Sequence, residues 1–173
     1  MMATTHMLAG MSLAVPLFVV APELAPAALV AGLVGGVVPD LDLYLRHRKA
    51  LHFPVYYTVL AVPAIGLAIA VPASWTISIA IGCAAAALHS TMDILGGGLE
   101  LKPWRETSER AVYSHYLDRW LPPRRWVRYD GAPEDFALAG IIGLPLLATT
   151  DGIGQLGILV LLAVSAVYAL LRK

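Results

Sequence analysis

The sequence predicts an all-α fold: a polytopic membrane helical bundle with four to six transmembrane helices, six being preferred. Hydrophobic residues make up 58% of the 173 residues and charged residues only 14%, whereas a soluble domain is about 45–50% apolar and about 25% charged. The apolar residues run in long stretches, and the charged residues lie almost entirely between these stretches. The length fits one domain. We therefore expect a single membrane domain over residues 1–173.

Composition also excludes several classes of protein. The apolar content is the opposite of that of a disordered chain, and the single cysteine, Cys83, excludes a disulfide scaffold. Twelve basic residues balance twelve acidic residues, whereas a nucleic-acid-binding protein is expected to carry a basic excess. We therefore expect membrane lipids, and no nucleic acid, as partners.

Six apolar stretches determine the expected helix count. They cover roughly 7–21, 24–38, 53–71, 74–95, 136–149 and 153–171. A helix needs about 20 residues, range about 17–25, to cross a bilayer. The third, fourth and sixth stretches reach that length, the first is borderline, and the second and fifth are short. The short stretches either extend into neighbouring polar residues or form a re-entrant or tilted hairpin.

The basic residues predict the orientation in the membrane. All twelve lie in the second connection, the fourth connection or the C-terminal end: Arg46, Arg48, Lys49, Lys102, Arg105, Arg110, Arg119, Arg124, Arg125, Arg128, Arg172 and Lys173. With six helices these regions share one side, which the positive-inside rule places in the cytoplasm. We expect a multi-pass protein of the inner (cytoplasmic) membrane with both termini in the cytoplasm. Residues 1–11 lack Lys and Arg, so we expect a mature first helix there and no secretory signal.

The segment 96–133, between helices 4 and 5, is the only sizeable piece expected outside the membrane. Apolar residues recur at three- and four-residue intervals from Thr107 to Trp120, which predicts a helix. The segment is rich in Arg, Trp and Tyr, and such helices tend to lie in the headgroup plane. We expect it to anchor the protein at the interface, with recognition of a lipid substrate as the alternative.

Histidine and aspartate residues cluster at the predicted helix ends. The seven candidate metal ligands are His6, Asp40, Asp42, His47, His52, His89 and Asp93. His89 and Asp93 are four residues apart and share one helix face, and carboxylates at membrane depth are usually functional. In the six-helix topology all seven groups meet at the cytoplasmic end. Imidazole and carboxylate ligands without thiolates suit a divalent ion, with zinc or manganese preferred.

These residues are also compatible with other interpretations. A His–Asp hydrogen bond could simply stabilise the end of helix 4, and the cluster could bind or transport a metal without catalysis. Two histidines at similar depth could instead ligate haem. His47 lies among basic residues and could bind phosphate, while His115 is expected to be an interfacial surface residue.

The favoured hypothesis is a metal-dependent hydrolase that acts at the cytoplasmic leaflet on a small-molecule or lipid substrate. A bound metal would polarise an ester or phosphoester. Asp42 or Asp93 would then take the proton from water. Arg48 or Lys49 could neutralise a phosphate oxygen.

Four motifs in residues 1–95 resemble those of the YdjM-like family, small inner-membrane proteins predicted to be metal-dependent hydrolases. They are Thr5-His6-x-x-x-Gly10, Pro39-Asp40-Leu41-Asp42, His47-Arg48 with a following His52, and His89-x-x-x-Asp93. The resemblance implies that the His and Asp positions of these motifs form the metal site. The family often has Thr-His-Ser near the second loop histidine, whereas this chain has Leu51-His52-Phe53. A distant similarity to zinc-dependent phospholipase C in His/Asp spacing implies a phosphoester substrate.

Overall fold

The predicted helical membrane fold is confirmed by a computed structural model, which describes residues 1–100 and 102–172. The protein is 66% helical. Its helices are α1 (Ala3–Ser12), α2 (Leu17–Val20), α3 (Ala25–Val37), α4 (Pro54–Ala70), α5 (Ser74–Leu95), α6 (Pro133–Thr149) and α7 (Gly152–Leu171). A 3-10 helix over Val38–Tyr44 continues α3, and a second one covers Pro103–Arg105.

Four helical segments in the described residues are long and apolar enough to cross a membrane. They are Ala3–Val20, Ala25–Tyr44, Ser74–Leu95 and Gly152–Leu171. The first contains α1, a break that ends at Pro16, and α2. The remaining two, α4 and α6, are each 17 residues long and each contains an internal proline. The two short predicted stretches therefore do extend, α3 through its 3-10 helix and α6 back to Pro133.

Successive helices alternate in direction. The start of α1 meets the end of α5, where His6 Nε2 lies 3.5 Å from Asp93 Oδ1, and Asp93 is also 3.2 Å from His52, just before α4. The start of α1 also meets the start of α6, because the Thr5 hydroxyl donates to Asp135 over 2.7 Å. The histidine and aspartate motifs therefore lie together at one end of the bundle, although they come from three separate parts of the chain.

Small residues bring α1, α3 and α5 close enough to form this end. A Cβ added at Gly32 of α3 would collide with the Gly10 carbonyl of α1, and one added at Gly36 would lie 2.6 Å from the His6 carbonyl oxygen. Contacts this short are possible only without a side chain. A Cβ added at Gly35 would likewise collide with the Gly82 carbonyl oxygen of α5, so the glycines of α3 allow both α1 and α5 to approach it closely.

The predicted helix over Thr107–Trp120 is wrong: this part of the chain forms an antiparallel hairpin. Strand β1 (Val112–Ser114) pairs with β2 (Arg119–Leu121), and Tyr113 lies opposite Trp120 with ring centroids 5.4 Å apart. Asp118 closes the turn with a φ of 48°. The same aromatic residues satisfy helical spacing and cross-strand pairing, so a short pattern cannot separate the two.

Candidate metal centre

Asp93 lies at the middle of the cluster. It is 1% exposed, and its Oδ2 lies 3.2 Å from His52 Nε2 and 3.6 Å from His89 Nε2. Its Oδ1 lies 3.5 Å from His6 Nε2 and 3.2 Å from the Met1 amino group. The helical spacing of His89 and Asp93 thus places both side chains on the same face of α5, as expected.

Two histidines have the outer ring nitrogen occupied and the inner one directed at the centre. His89 Nδ1 donates to the Gly36 carbonyl oxygen over 2.7 Å, and His52 Nδ1 donates to Asp42 Oδ2 over 2.9 Å. These bonds place the proton on Nδ1, so in the neutral ring the Nε2 lone pair points inward. Buried His89 Nε2 has no hydrogen-bond partner. A cation between Nε2 and the carboxylates would satisfy atoms that otherwise repel each other.

Four ligand atoms meet at a spacing that suits a metal ion. One atom each from Asp40, His52, His89 and Asp93 lies within 4.8 Å of the others. Tetrahedral ligands at metal–ligand distances near 2.0–2.2 Å are about 3.3–3.6 Å apart. Here His89 Nε2 lies 3.4 Å from Asp40 Oδ1, His52 Nε2 lies 4.0 Å from the same oxygen, and the two contacts to Asp93 are 3.2 and 3.6 Å. The two nitrogens and two carboxylate oxygens therefore fit a divalent ion with only small adjustments.

Asp42, predicted as ligand and as candidate base, lies outside this four-residue group. Its carboxylate is fully buried and accepts five hydrogen bonds within the loop that follows. The donors are His47 Nδ1, Arg48 N, Lys49 N, Leu51 N and His52 Nδ1, at 2.9–3.2 Å. With both oxygens occupied, Asp42 orients His52 in the way that carboxylates commonly orient metal-binding histidines.

The remaining predicted residues surround the four-residue group. His6 is 1% exposed, stacks on His89 at a centroid distance of 3.8 Å, and has no partner for either ring nitrogen. His47 is 30% exposed and is held by Asp42. The Arg48 Nε lies 3.4 Å from Asp93 Oδ2, and its Nη1 donates to the Gly97 carbonyl over 2.7 Å. The structure thus brings all three to the same end of the bundle, while His6 and His47 stay outside the group of four.

The hairpin supports the loop that holds these side chains, a role the sequence did not reveal. The Tyr113 amide donates to the Arg48 carbonyl over 2.9 Å, and His115 Nε2 donates to the Lys49 carbonyl over 2.7 Å. The Lys49 ammonium lies 3.6 Å from the centre of the Tyr113 ring. His115, expected at the surface of an interfacial helix, therefore helps to fix the loop. Strands of three residues are too short for an alternating pattern to reveal them in the sequence.

The Tyr113 hydroxyl donates a short hydrogen bond to Asp118 in the hairpin turn. This bond is the main reason that the pKa of Tyr113 is raised above its ordinary value of 10.0. The neutral phenol is favoured because the carboxylate accepts its proton and repels a phenolate.

A cavity of about 640 Å³ reaches the candidate metal centre from one side. Asp40 is the member of the four-residue group that lines it, and its side chain is 21% exposed. His47 and Arg48 line the same cavity. The other three members of the group are buried, so a ligand in the cavity would meet Asp40 first.

Neither a protein-family model nor a curated protein nor a solved structure matches this chain.

Proposed function

We propose that the protein is a membrane-embedded, metal-dependent hydrolase that cleaves a phosphoester beside the four-residue group of Asp40, His52, His89 and Asp93. One observation carries the proposal: these ligand atoms meet within 4.8 Å, and both imidazoles are held with Nε2 directed inward. The resemblance to the YdjM-like motifs supports the same site. Zinc or manganese suits this mixture of nitrogen and oxygen ligands.

A divalent ion held by these four residues would need one further coordination position on the cavity side, where it would polarise a phosphoryl oxygen and acidify a water. Asp40 offers Oδ1 to the four-residue group and borders the cavity, so its Oδ2 is placed to accept a proton from the attacking water. Both oxygens of Asp42 are occupied by hydrogen bonds from its own loop, and two of these bonds orient the rings of His47 and His52. Arg48 lines the cavity and lies 3.4 Å from Asp93, and an Arg guanidinium suits phosphate oxygens in shape and charge.

His47 is placed to give a proton to the leaving group. Its Nδ1 is held by Asp42 at 3.0 Å, and its half-exposed ring lines the cavity. In the protonated ring Nδ1–H donates to Asp42 and Nε2–H is left to give its proton to the leaving-group oxygen, which returns His47 to the neutral form with the proton on Nδ1. His47→Gln should therefore keep the bound metal and lose most of the phosphoesterase activity.

We also propose that this end of the bundle faces the cytoplasm. The loops at this end carry the basic residues, and Arg172 at the end of α7 pairs with Asp130 there over 3.1 Å. Lys173 is a further basic residue of the sequence at this end of the chain, but it lies outside the described residues. The positive-inside rule then gives an inner-membrane protein with both termini in the cytoplasm.

Metal analysis of purified variants tests the proposal. His89→Ala, Asp93→Ala and Asp40→Ala should each lose stoichiometric zinc or manganese while staying inserted, because a four-ligand site cannot keep its coordination without one ligand. His115→Gln is the matched control, because its side-chain amide can still donate to the Lys49 carbonyl and the variant should keep the metal.

Three other outcomes would contradict the proposal. Equal metal content in wild type and all the variants would show that the cluster is only a hydrogen-bonded helix end. A haem absorption band would show bis-histidine haem ligation instead. Bound metal without hydrolysis of any phosphoester would favour a non-catalytic metal-binding or transport protein.

A further inference from the structure

We propose that the substrate is an amphiphile, a lipid phosphoester that enters the 640 Å³ cavity with its tail against Leu43 and its phosphate beside Arg48. This inference rests on the proposed hydrolase function and specifies its substrate class. Ligand cavities usually measure about 300–1,000 Å³, so this one has room for a headgroup and part of a chain.

The cavity is lined by both polar and apolar side chains. The polar members of its lining are Asp40, His47, Arg48, Glu100, Asp130 and Arg172, and the apolar or aromatic members are Met1, Ala3, Leu43, Leu99 and Tyr168. Arg48 pairs with Asp93 over 3.4 Å, whereas Arg172 pairs with Asp130 over 3.1 Å. Only the partner of Arg48 belongs to the four-residue group, so Arg48 is the cation of the lining that lies beside the candidate metal centre and would meet a phosphate there. A water-soluble phosphoester would make no contacts with the apolar residues of the lining.

The cavity lining includes one strongly exposed leucine whose neighbours in the chain are exposed apolar residues. Leu43 lines the cavity and is 64% exposed, and its neighbours Leu41, Tyr44 and Leu45 are also exposed. They follow directly on α3 at the end of the membrane span Ala25–Tyr44. A contiguous apolar patch of this kind is costly in water but favourable at the boundary between headgroups and acyl chains. This places the entrance at the level where lipid phosphates lie.

Competition against a photoreactive phosphatidic acid tests the substrate class in purified, metal-loaded protein. Dioctanoyl phosphatidic acid and glycerol 3-phosphate carry the same phosphate monoester and differ in the acyl chains. We expect the lipid to compete at least tenfold better. Leu43→Gln should reduce that advantage by about tenfold, as expected when one leucine contact is lost. Leu45→Gln is the matched control, equally exposed but outside the cavity lining, and it corrects for partitioning into the micelle.

The outcomes separate this inference from the proposed function. Equal competition by the two phosphates, or equal effects of Leu43→Gln and Leu45→Gln, would overturn the lipid substrate while leaving the metal site intact. Metal content is measured on the same samples. Wild-type protein without metal would overturn the hydrolase, and the competition would still report whether the cavity binds a lipid phosphate.

Discussion

Replacing Asp42 by alanine tests whether Asp42 only orients the metal ligands or is itself a metal ligand. Asp42 holds the loop from His47 to His52 through five hydrogen bonds at 2.9–3.2 Å. Asp42→Ala leaves those donors without their acceptor. The imidazole of His52 then loses the bond that keeps its Nε2 directed at Asp93. We expect weaker metal binding rather than none.

The size of the effect follows from these contacts. Removing an outer-shell partner of a metal-binding histidine typically costs about 10–100-fold in affinity, or about 1.4–2.7 kcal/mol. Two of the five donors, Arg48 N and His52 Nδ1, are buried. A hydrogen bond to a charged group contributes about 1.5–3 kcal/mol, so loss of the two bonds to buried donors should lower the free energy of unfolding by about 3–6 kcal/mol. Asp42→Asn keeps one acceptor oxygen, so it should lose less metal affinity and less stability than Asp42→Ala.

Competition with a chromogenic chelator measures the dissociation constant of the metal, and thermal unfolding in detergent measures stability. Asp40→Ala provides the comparison for direct loss of a ligand, and Asp151→Asn, an exposed carboxylate between α6 and α7, is the control. Loss of metal in Asp42→Ala as complete as in Asp40→Ala would show that Asp42 is itself a ligand. An unchanged dissociation constant would show that the loop does not depend on Asp42. Either result would refute the reasoning.

Three further predictions concern the rest of the chain. In a cysteine-free background, a cysteine at position 151 should label from outside intact cells and one at position 110 should not; outside labelling of 110 would reverse the orientation. Asp135→Ala should lower the free energy of unfolding by at least as much as Asp42→Ala, about 4 kcal/mol or more, because buried Asp135 accepts three hydrogen bonds, from Met2 N, Thr5 Oγ1 and Gly131 N; thermal unfolding that matches wild type would contradict this. Tyr113 should ionise above pH 10, so the stability that its hydrogen bond provides is present below pH 10 and is lost as pH rises through its folded-state pKa. Asp118→Asn should bring that ionisation, read by ultraviolet difference titration against Tyr113→Phe, back toward its ordinary value.

The sequence by itself determined the class of fold and the region of the candidate site. Long apolar stretches can bury their backbone polar groups in lipid only as helices, so composition and length were enough to predict the bundle. The pairing of His89 with Asp93 also follows from local geometry, because residues four apart on a helix always share a face. Alternation of the helices then placed His6, Asp40 and His52 at the same end.

Only the tertiary structure decided which of these residues meet as ligands and which support them. Asp40 and Asp42 are nearly equivalent in sequence, yet Asp40 faces the cavity and the four-residue group while Asp42 turns into its own loop. That difference depends on the close crossing of α1, α3 and α5 and on the loop that folds over Asp42. The hairpin was likewise missed, because its strands are only three residues long. Their position also depends on contacts with the loop from His47 to His52, which is distant in the chain. Contacts between segments distant in the chain leave no periodic pattern in the sequence, and these contacts form the site.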